Sequence, residues 1–148
     1  MQVVVSPMLR PGDLVSLVSP ASAPAPEWLD GQVAVLESWG LQVAVGEHAL
    51  DTWAYMAGTD ADRLSDLNQA FRDPNVRAVI TTRGGAGAYR IWQGMDFAAI
   101  AAEPKPLVGF SDITYLHLPL WEQCRIATIH VSLGTTRRHG WTQITRLT

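Results

Sequence analysis

Short apolar runs alternate with segments of helical period along most of this chain, and no other feature of the sequence constrains its fold as strongly. Residues 14–18, 41–45, 76–82, 107–110 and 126–129 each read as a strand. Between them, apolar side chains return every three or four positions: Leu29, Val33 and Leu36, then Leu64, Leu67 and Phe71, then Ile113, Leu116, His117 and Leu120. Strands separated by helical crossovers run parallel, and a parallel sheet is covered on both faces. The predicted architecture is therefore α/β with a mainly parallel sheet.

Local signals set the element limits. Ser19-Pro20 and the Pro/Ala/Ser stretch to Pro26 end the first strand in a loop, and Gly40 stops the helix predicted over 28–39. Residues 46–58, with His48, Trp53 and Tyr55, show no period and read as a long loop. Thr59 or Asp60 caps the next helix, with Asp62 completing an approximate capping box, and Asp73-Pro74 ends it. Residues 88–92 and 97–102 are predicted as short helices and 113–124 as a longer one. Pro119 falls inside that last helix, where it costs about 3 kcal/mol, so a kink or an early stop is expected.

With 148 residues, 47% of them hydrophobic and 17% charged, the chain can bury one ordinary core. Its net charge of -3 and lack of a long basic run argue against nucleic acid or an anionic membrane as the main partner, and Arg137, Arg138 and His139 read as a solvated turn. Cys124, the single cysteine, excludes an internal disulfide and reads as packing. The start has no basic n-region or long apolar h-region, and no stretch approaches the ~20 apolar residues of a membrane span. A cytoplasmic location is expected.

Two segments can carry chemistry. In Pro106-Leu-Val-Gly-Phe-Ser-Asp-Ile-Thr-Tyr-Leu an apolar strand runs into Ser111 and a helical pattern begins at once. A serine on such a turn stands above the sheet edge beside helix N-terminal amides able to hold an oxyanion, although the residues are not G-x-S-x-G. The alternative is that its hydroxyl simply caps the helix. In Thr81-Thr-Arg-Gly-Gly-Ala-Gly-Ala-Tyr-Arg the glycines let backbone amides approach an anion or carbonyl, or make only a tight turn. A phosphate cradle of Gly84, Gly85 and Gly87 is a third reading, against which stands the missing P-loop lysine.

Five collinear motifs resemble the LD-carboxypeptidase family, which includes the microcin-immunity-type peptidases. They are Leu9-Arg-Pro-Gly-Asp-Leu-Val, Ser19-Pro-Ala-Ser, Ala57-Gly-Thr-Asp-Ala-Asp-Arg-Leu, Arg83-Gly-Gly-Ala-Gly-Ala-Tyr-Arg and Pro104-Lys-Pro-Leu-Val-Gly-Phe-Ser-Asp-Ile-Thr. The similarity covers about residues 9–130. It implies a nucleophile domain over 1–130 with a three-layer, Rossmann-like or flavodoxin-like fold and the nucleophile at a strand-to-helix turn. Residues 131–148 are then an unassigned tail or the start of a linker to a C-terminal domain.

The resemblance further implies Ser111 as nucleophile, the amide of Asp112 as one oxyanion donor, and Gly84 or Gly85 as the other. The implied reaction is release of a terminal D-amino acid from an L,D-peptide bond of a murein stem peptide; relatives cleave amide-linked antibiotic nucleotide conjugates. No metal or organic cofactor is implied, and a homodimer is compatible. The base and acid, a histidine and a glutamate, are expected in a C-terminal domain beyond Thr148, so the chain alone is expected to be a silent fragment or binding domain. Among its histidines, His117 reads as a core residue and His48 and His139 as surface loop residues. His130, after the last strand, stands where the family has His-Gly-Pro and is the one candidate for a substitute base.

Overall fold

The computed structural model describes residues 2–134. Its elements follow the predicted alternation: β1 (Leu14–Val18), α1 (Pro26–Ser38), β2 (Gln42–Val45), α2 (Asp60–Arg72), β3 (Val76–Thr81), α3 (Ala88–Ile91), α4 (Phe97–Ala102), β4 (Leu107–Gly109), α5 (Thr114–Cys124) and β5 (Ile129–His130). The five strands form one parallel sheet in the order β2-β1-β3-β4-β5. That is the flavodoxin-like order of a doubly wound sheet, which resolves the two alternatives left by the sequence.

Two apolar layers hold the sheet. On one face Leu29 and Leu36 of α1 pack on Val15, Leu17, Ala78 and Ile80. On the other, Leu67 and Phe71 of α2, Ile100 of α4 and Leu116 and Leu120 of α5 cover Val18, Val79 and Leu107. Alternation along β1 and β3 divides their side chains between these faces, as the pleat requires. Pro26 occupies the first turn of α1, where its missing N–H costs nothing. The Thr59–Asp62 capping box forms reciprocally at the start of α2. Among the described residues, no helix is long and apolar enough to cross a membrane.

Three expectations need correction. Of the kink or early stop expected at Pro119, the stop does not occur: α5 continues through it to Cys124, with Pro119 buried. The last strand is not 126–129 but Ile129–His130. Residues 125–127 instead engage Val4, whose amide donates to the Arg125 carbonyl (2.9 Å) and whose carbonyl accepts from Ala127 (2.8 Å), while only residues 129 and 130 pair with β4. His130 therefore lies within the strand rather than after it. The turn read at Arg137, Arg138 and His139, and nearly all of the unassigned tail, lie outside the described residues.

Lys105 is buried, and its ammonium donates to the Phe71 carbonyl (2.6 Å) and to the Asp73 carbonyl. It satisfies the last carbonyls of α2 and sits at the negative end of that helix dipole.

Candidate active site

A doubly wound sheet opens its ligand crevice at the carboxyl ends of the strands, beside the point where strand order reverses. Here those ends belong to β1, β3 and β4, and each runs into one of the motif segments: Ser19–Ser22, Arg83–Gly87 and Phe110–Ile113.

Ser111 follows β4 and opens a single 3-10 turn that leads into α5. Its φ is 58°, the left-handed region that L-residues other than glycine adopt only at a cost of about 1–2 kcal/mol. The residue is exposed, and no side chain caps the turn. A capping serine has extended backbone, and its hydroxyl oxygen accepts from a backbone amide two or three residues further on. Ser111 does neither, so its hydroxyl is not a helix cap. A strained, unengaged serine between strand and helix has the geometry of a nucleophile elbow.

The glycine loop lies directly against it. A Cβ built on Gly84 would stand 2.9 Å from Ser111 Cβ and 3.3 Å from its Oγ, so only glycine lets the two segments approach this closely. Gly85 has φ 106°, and a Cβ there would meet Ser22 Oγ at 2.2 Å. Ser22 in turn braces the loop: its amide donates to the Gly84 carbonyl (3.2 Å) and its hydroxyl accepts from Ala86 (3.1 Å). Ser19 bridges the Thr82 hydroxyl (2.7 Å) and the Ala49 carbonyl (2.8 Å), tying β1, β3 and the 46–58 loop together. The amides of Gly84, Gly85 and Asp112 make no hydrogen bond among the described residues. Asp112 turns its carboxylate away from the elbow to accept from the Ala88 amide (2.8 Å), which joins the two segments.

Arg63 of α2 is the buried support beneath. Its guanidinium donates to the Pro20 carbonyl (2.8 Å) and the Gly87 carbonyl (2.9 Å) and pairs with Asp60, which also holds Arg90. The hydrophobic period could not reveal it, because a buried arginine reads as a polar position.

The described histidines have partners other than Ser111. His117 is buried and donates Nε2–H to the Gly109 carbonyl (3.0 Å); burial pushes its pKa down, so the ring is neutral and structural, as the sequence suggested. His130 is exposed, with Nε2 3.4 Å from Thr114 Oγ1 and its ring centroid 5.7 Å from that of His117. Neither forms a hydrogen bond with Ser111 among the described residues. The Cys124 thiol is buried with its pKa raised, which leaves it unreactive.

His48 is not a free surface residue. Its Nδ1 is 2.8 Å from Asp66 Oδ1, its amide donates to Asp66 Oδ2 (2.9 Å), and Nε2 lies 3.7 Å from Asp62. The hydrogen bond to Asp66, aided by the charges of Asp66, Asp62 and Glu47, raises its pKa. Stability from this pair is fully present below the unfolded value of 6.5 and is lost as pH rises through the higher folded value. His48→Gln should therefore lower the melting temperature at pH 6 and leave it nearly unchanged at pH 9. Melts that show an equal loss at both values would remove the charged pair from the account.

Comparison with known proteins identifies the family. A family model described as the LD-carboxypeptidase N-terminal domain matches residues 15–131. The probable murein peptide carboxypeptidase of Bacillus subtilis (strain 168) is 43% identical over 128 residues, 86% of this chain and 40% of that protein. The murein tetrapeptide carboxypeptidase of Pseudomonas aeruginosa is 38% identical over 122 residues, 82% of this chain and 39% of that protein. Among solved structures, the microcin C7 self immunity protein MccF of Escherichia coli, in complex with aspartyl sulfamoyl adenosine, superposes with a TM-score of 0.77 at 26% identity, over 83% of this chain and 37% of that one. The chain thus spans about 40% of the length of the curated relatives it matches. With the elbow, the glycine loop and the parallel sheet in the family's order, the chain belongs to the LD-carboxypeptidase family, peptidase S66, and carries sequence of its N-terminal domain.

Proposed function

We propose that this chain is the nucleophile-bearing part of a serine-type hydrolase that releases a terminal D-amino acid from an L,D-peptide bond of a murein stem peptide. The observation that carries the reading is the left-handed, exposed Ser111 held against Gly84. In the proposed step Ser111 Oγ bonds to the scissile carbonyl carbon, and the negative charge forming on the carbonyl oxygen is taken by the amide of Asp112 and by that of Gly84 or Gly85. The hydroxyl proton passes to a base and then to the leaving amine as the C–N bond breaks, which frees the D-amino acid and leaves an acyl-serine for water to hydrolyse. No histidine among the described residues is hydrogen-bonded to Ser111, which supports a base and its orienting acid from a C-terminal domain and a chain silent on its own. No metal or organic cofactor has a part in these steps.

A murein L,D-tetrapeptide incubated with the purified chain and with its Ser111→Ala variant separates the possibilities. No D-alanine from either folded protein is the expected result. Release that vanishes in Ser111→Ala would overturn the silent-fragment reading and mean that these residues complete the apparatus, with His130 the first base to test. Release that persists in the variant would overturn Ser111 as nucleophile. The similarity to MccF, solved with an acyl-sulfamoyl nucleoside, favours running an aminoacyl nucleotide conjugate in parallel; cleavage or binding of that compound alone would move the substrate to the microcin-immunity type.

A further inference from the structure

A carboxypeptidase differs from other peptidases in what lies beyond its scissile bond: one residue and a free carboxylate. Excluding longer peptides therefore requires a cation within one residue's length of the nucleophile, on a backbone rigid enough to hold it there. Resting on the reading above, we propose that Arg83 binds the terminal carboxylate of the leaving D-amino acid and so sets the specificity for a free chain end.

Elimination leads to it first. Among the described cations, Arg63, Arg72 and Arg90 are committed to Asp60 or Asp96, and Lys105 is buried at the end of α2. Arg125 lies over the Trp121 ring at the far end of α5. Arg10 and Arg77 line a cavity of about 270 Å³ at the opposite, amino-terminal edge of the sheet. Arg83 alone stands at the carboxyl edge without an ion pair among the described residues. Its one contact is a 3.4 Å approach of Nη1 to the Ala23 carbonyl, and its side chain is exposed.

Its backbone, by contrast, is fixed on both sides. The Thr82 amide donates to the Val18 carbonyl (2.9 Å), and the Thr82 carbonyl accepts from Gln32 Nε2 (2.7 Å) and Trp28 Nε1 (3.3 Å). The Gly84 carbonyl accepts from the Ser22 amide at 3.2 Å. Gly84 is also the residue in van der Waals reach of Ser111, so Arg83 is one peptide, about 3.8 Å of chain, from the glycine that touches the nucleophile. The contact with Ala23 draws its guanidinium toward the loop after β1, over the β1/β3 crevice where a doubly wound sheet binds ligands. A planar fork of donors there matches a carboxylate better than an ammonium would.

The test compares a murein L,D-tetrapeptide with the same peptide bearing a C-terminal carboxamide, by calorimetric titration into the Ser111→Ala chain with and without Arg83→Gln or Arg83→Lys. The carboxylate peptide should bind Ser111→Ala about tenfold or more tightly than the carboxamide. That preference should fall to near unity in Arg83→Gln and recover in part in Arg83→Lys, with circular dichroism unchanged because the side chain is exposed. A carboxylate preference that survives in Arg83→Gln would overturn the role of Arg83 and leave the hydrolase reading standing. If the Ser111→Ala chain binds neither peptide, or binds both equally, Arg83 in this chain does not select a free end and the proposal falls. D-Alanine release, measured separately, decides the parent reading.

Discussion

Replacing Ser111 with glycine is expected to make the chain more stable and, in any form of the protein that releases D-alanine, to reduce that release to background. The two effects share one cause. At φ 58° an L-residue pays about 1–2 kcal/mol that glycine does not, and glycine gives back part of that gain through its freer unfolded state. Ser111 is exposed and its hydroxyl caps nothing, so no contact offsets the relief. A net gain of about 0.5–1 kcal/mol follows, or about 2–4 °C in melting temperature. Losing a catalytic serine costs on the order of a millionfold in turnover in other serine peptidases. Ala54→Gly supplies the control: Ala54 has φ 53° in the 46–58 loop, so it should show a similar rise in melting temperature with no change in activity. A glycine variant less stable than the parent would mean that the Ser111 side chain supports the fold, which would remove the geometric argument for a nucleophile.

Much of this site was legible in the sequence, for a definable reason. An apolar strand, a glycine or serine turn and a helical period are local patterns, and the parallel sheet, the elbow at Ser111 and the loop at Gly84 and Gly85 are all built from them. What the sequence withheld depends on contacts between distant segments. His48 reads as a loop residue because Asp66, which fixes it, lies on the following helix. Val4 belongs to a short patch with no evident role until it bridges to Ile126, just before the last strand. Pro119 looks like a stop because a local rule assigns its cost, whereas the burial of Leu116, Leu120 and Cys124 around it holds α5 together. Asp112 is counted from sequence only for its amide, yet its carboxylate caps Ala88 and so sets the distance between elbow and loop.

Arg63 is where distant contacts concentrate, and Arg63→Met should be the most damaging single change to the fold of the site. The side chain is 1% exposed, and its two terminal nitrogens reach three segments at once: Pro20 after β1, Gly87 at the end of the glycine loop, and Asp60 at the start of α2. Methionine fills much of the volume but leaves the Pro20 carbonyl without a donor, the Gly87 carbonyl with only the Arg90 amide, and Asp60 with only Arg90. A buried acceptor left without its donor costs about 1–3 kcal/mol, a sizeable share of the stability of an ordinary domain, while Asp60, partly exposed and still held by Arg90, adds little. Arg63→Lys keeps the charge but cannot divide it among the same acceptors, since a single ammonium lacks the planar fork. It should recover only part of the loss. Urea unfolding measures the stability term, and hydrogen exchange locates it, with protection falling first at Arg90, whose amide donates to the Gly87 carbonyl, and at Ala57, whose amide donates to Ala21 beside Pro20. Equal stability of Arg63→Met and the parent would show that the hydrophobic layers alone position the glycine loop. The expected collapse of protection around that loop, with the α1 face of the sheet spared, would identify Arg63 as the residue that holds Gly84 against Ser111.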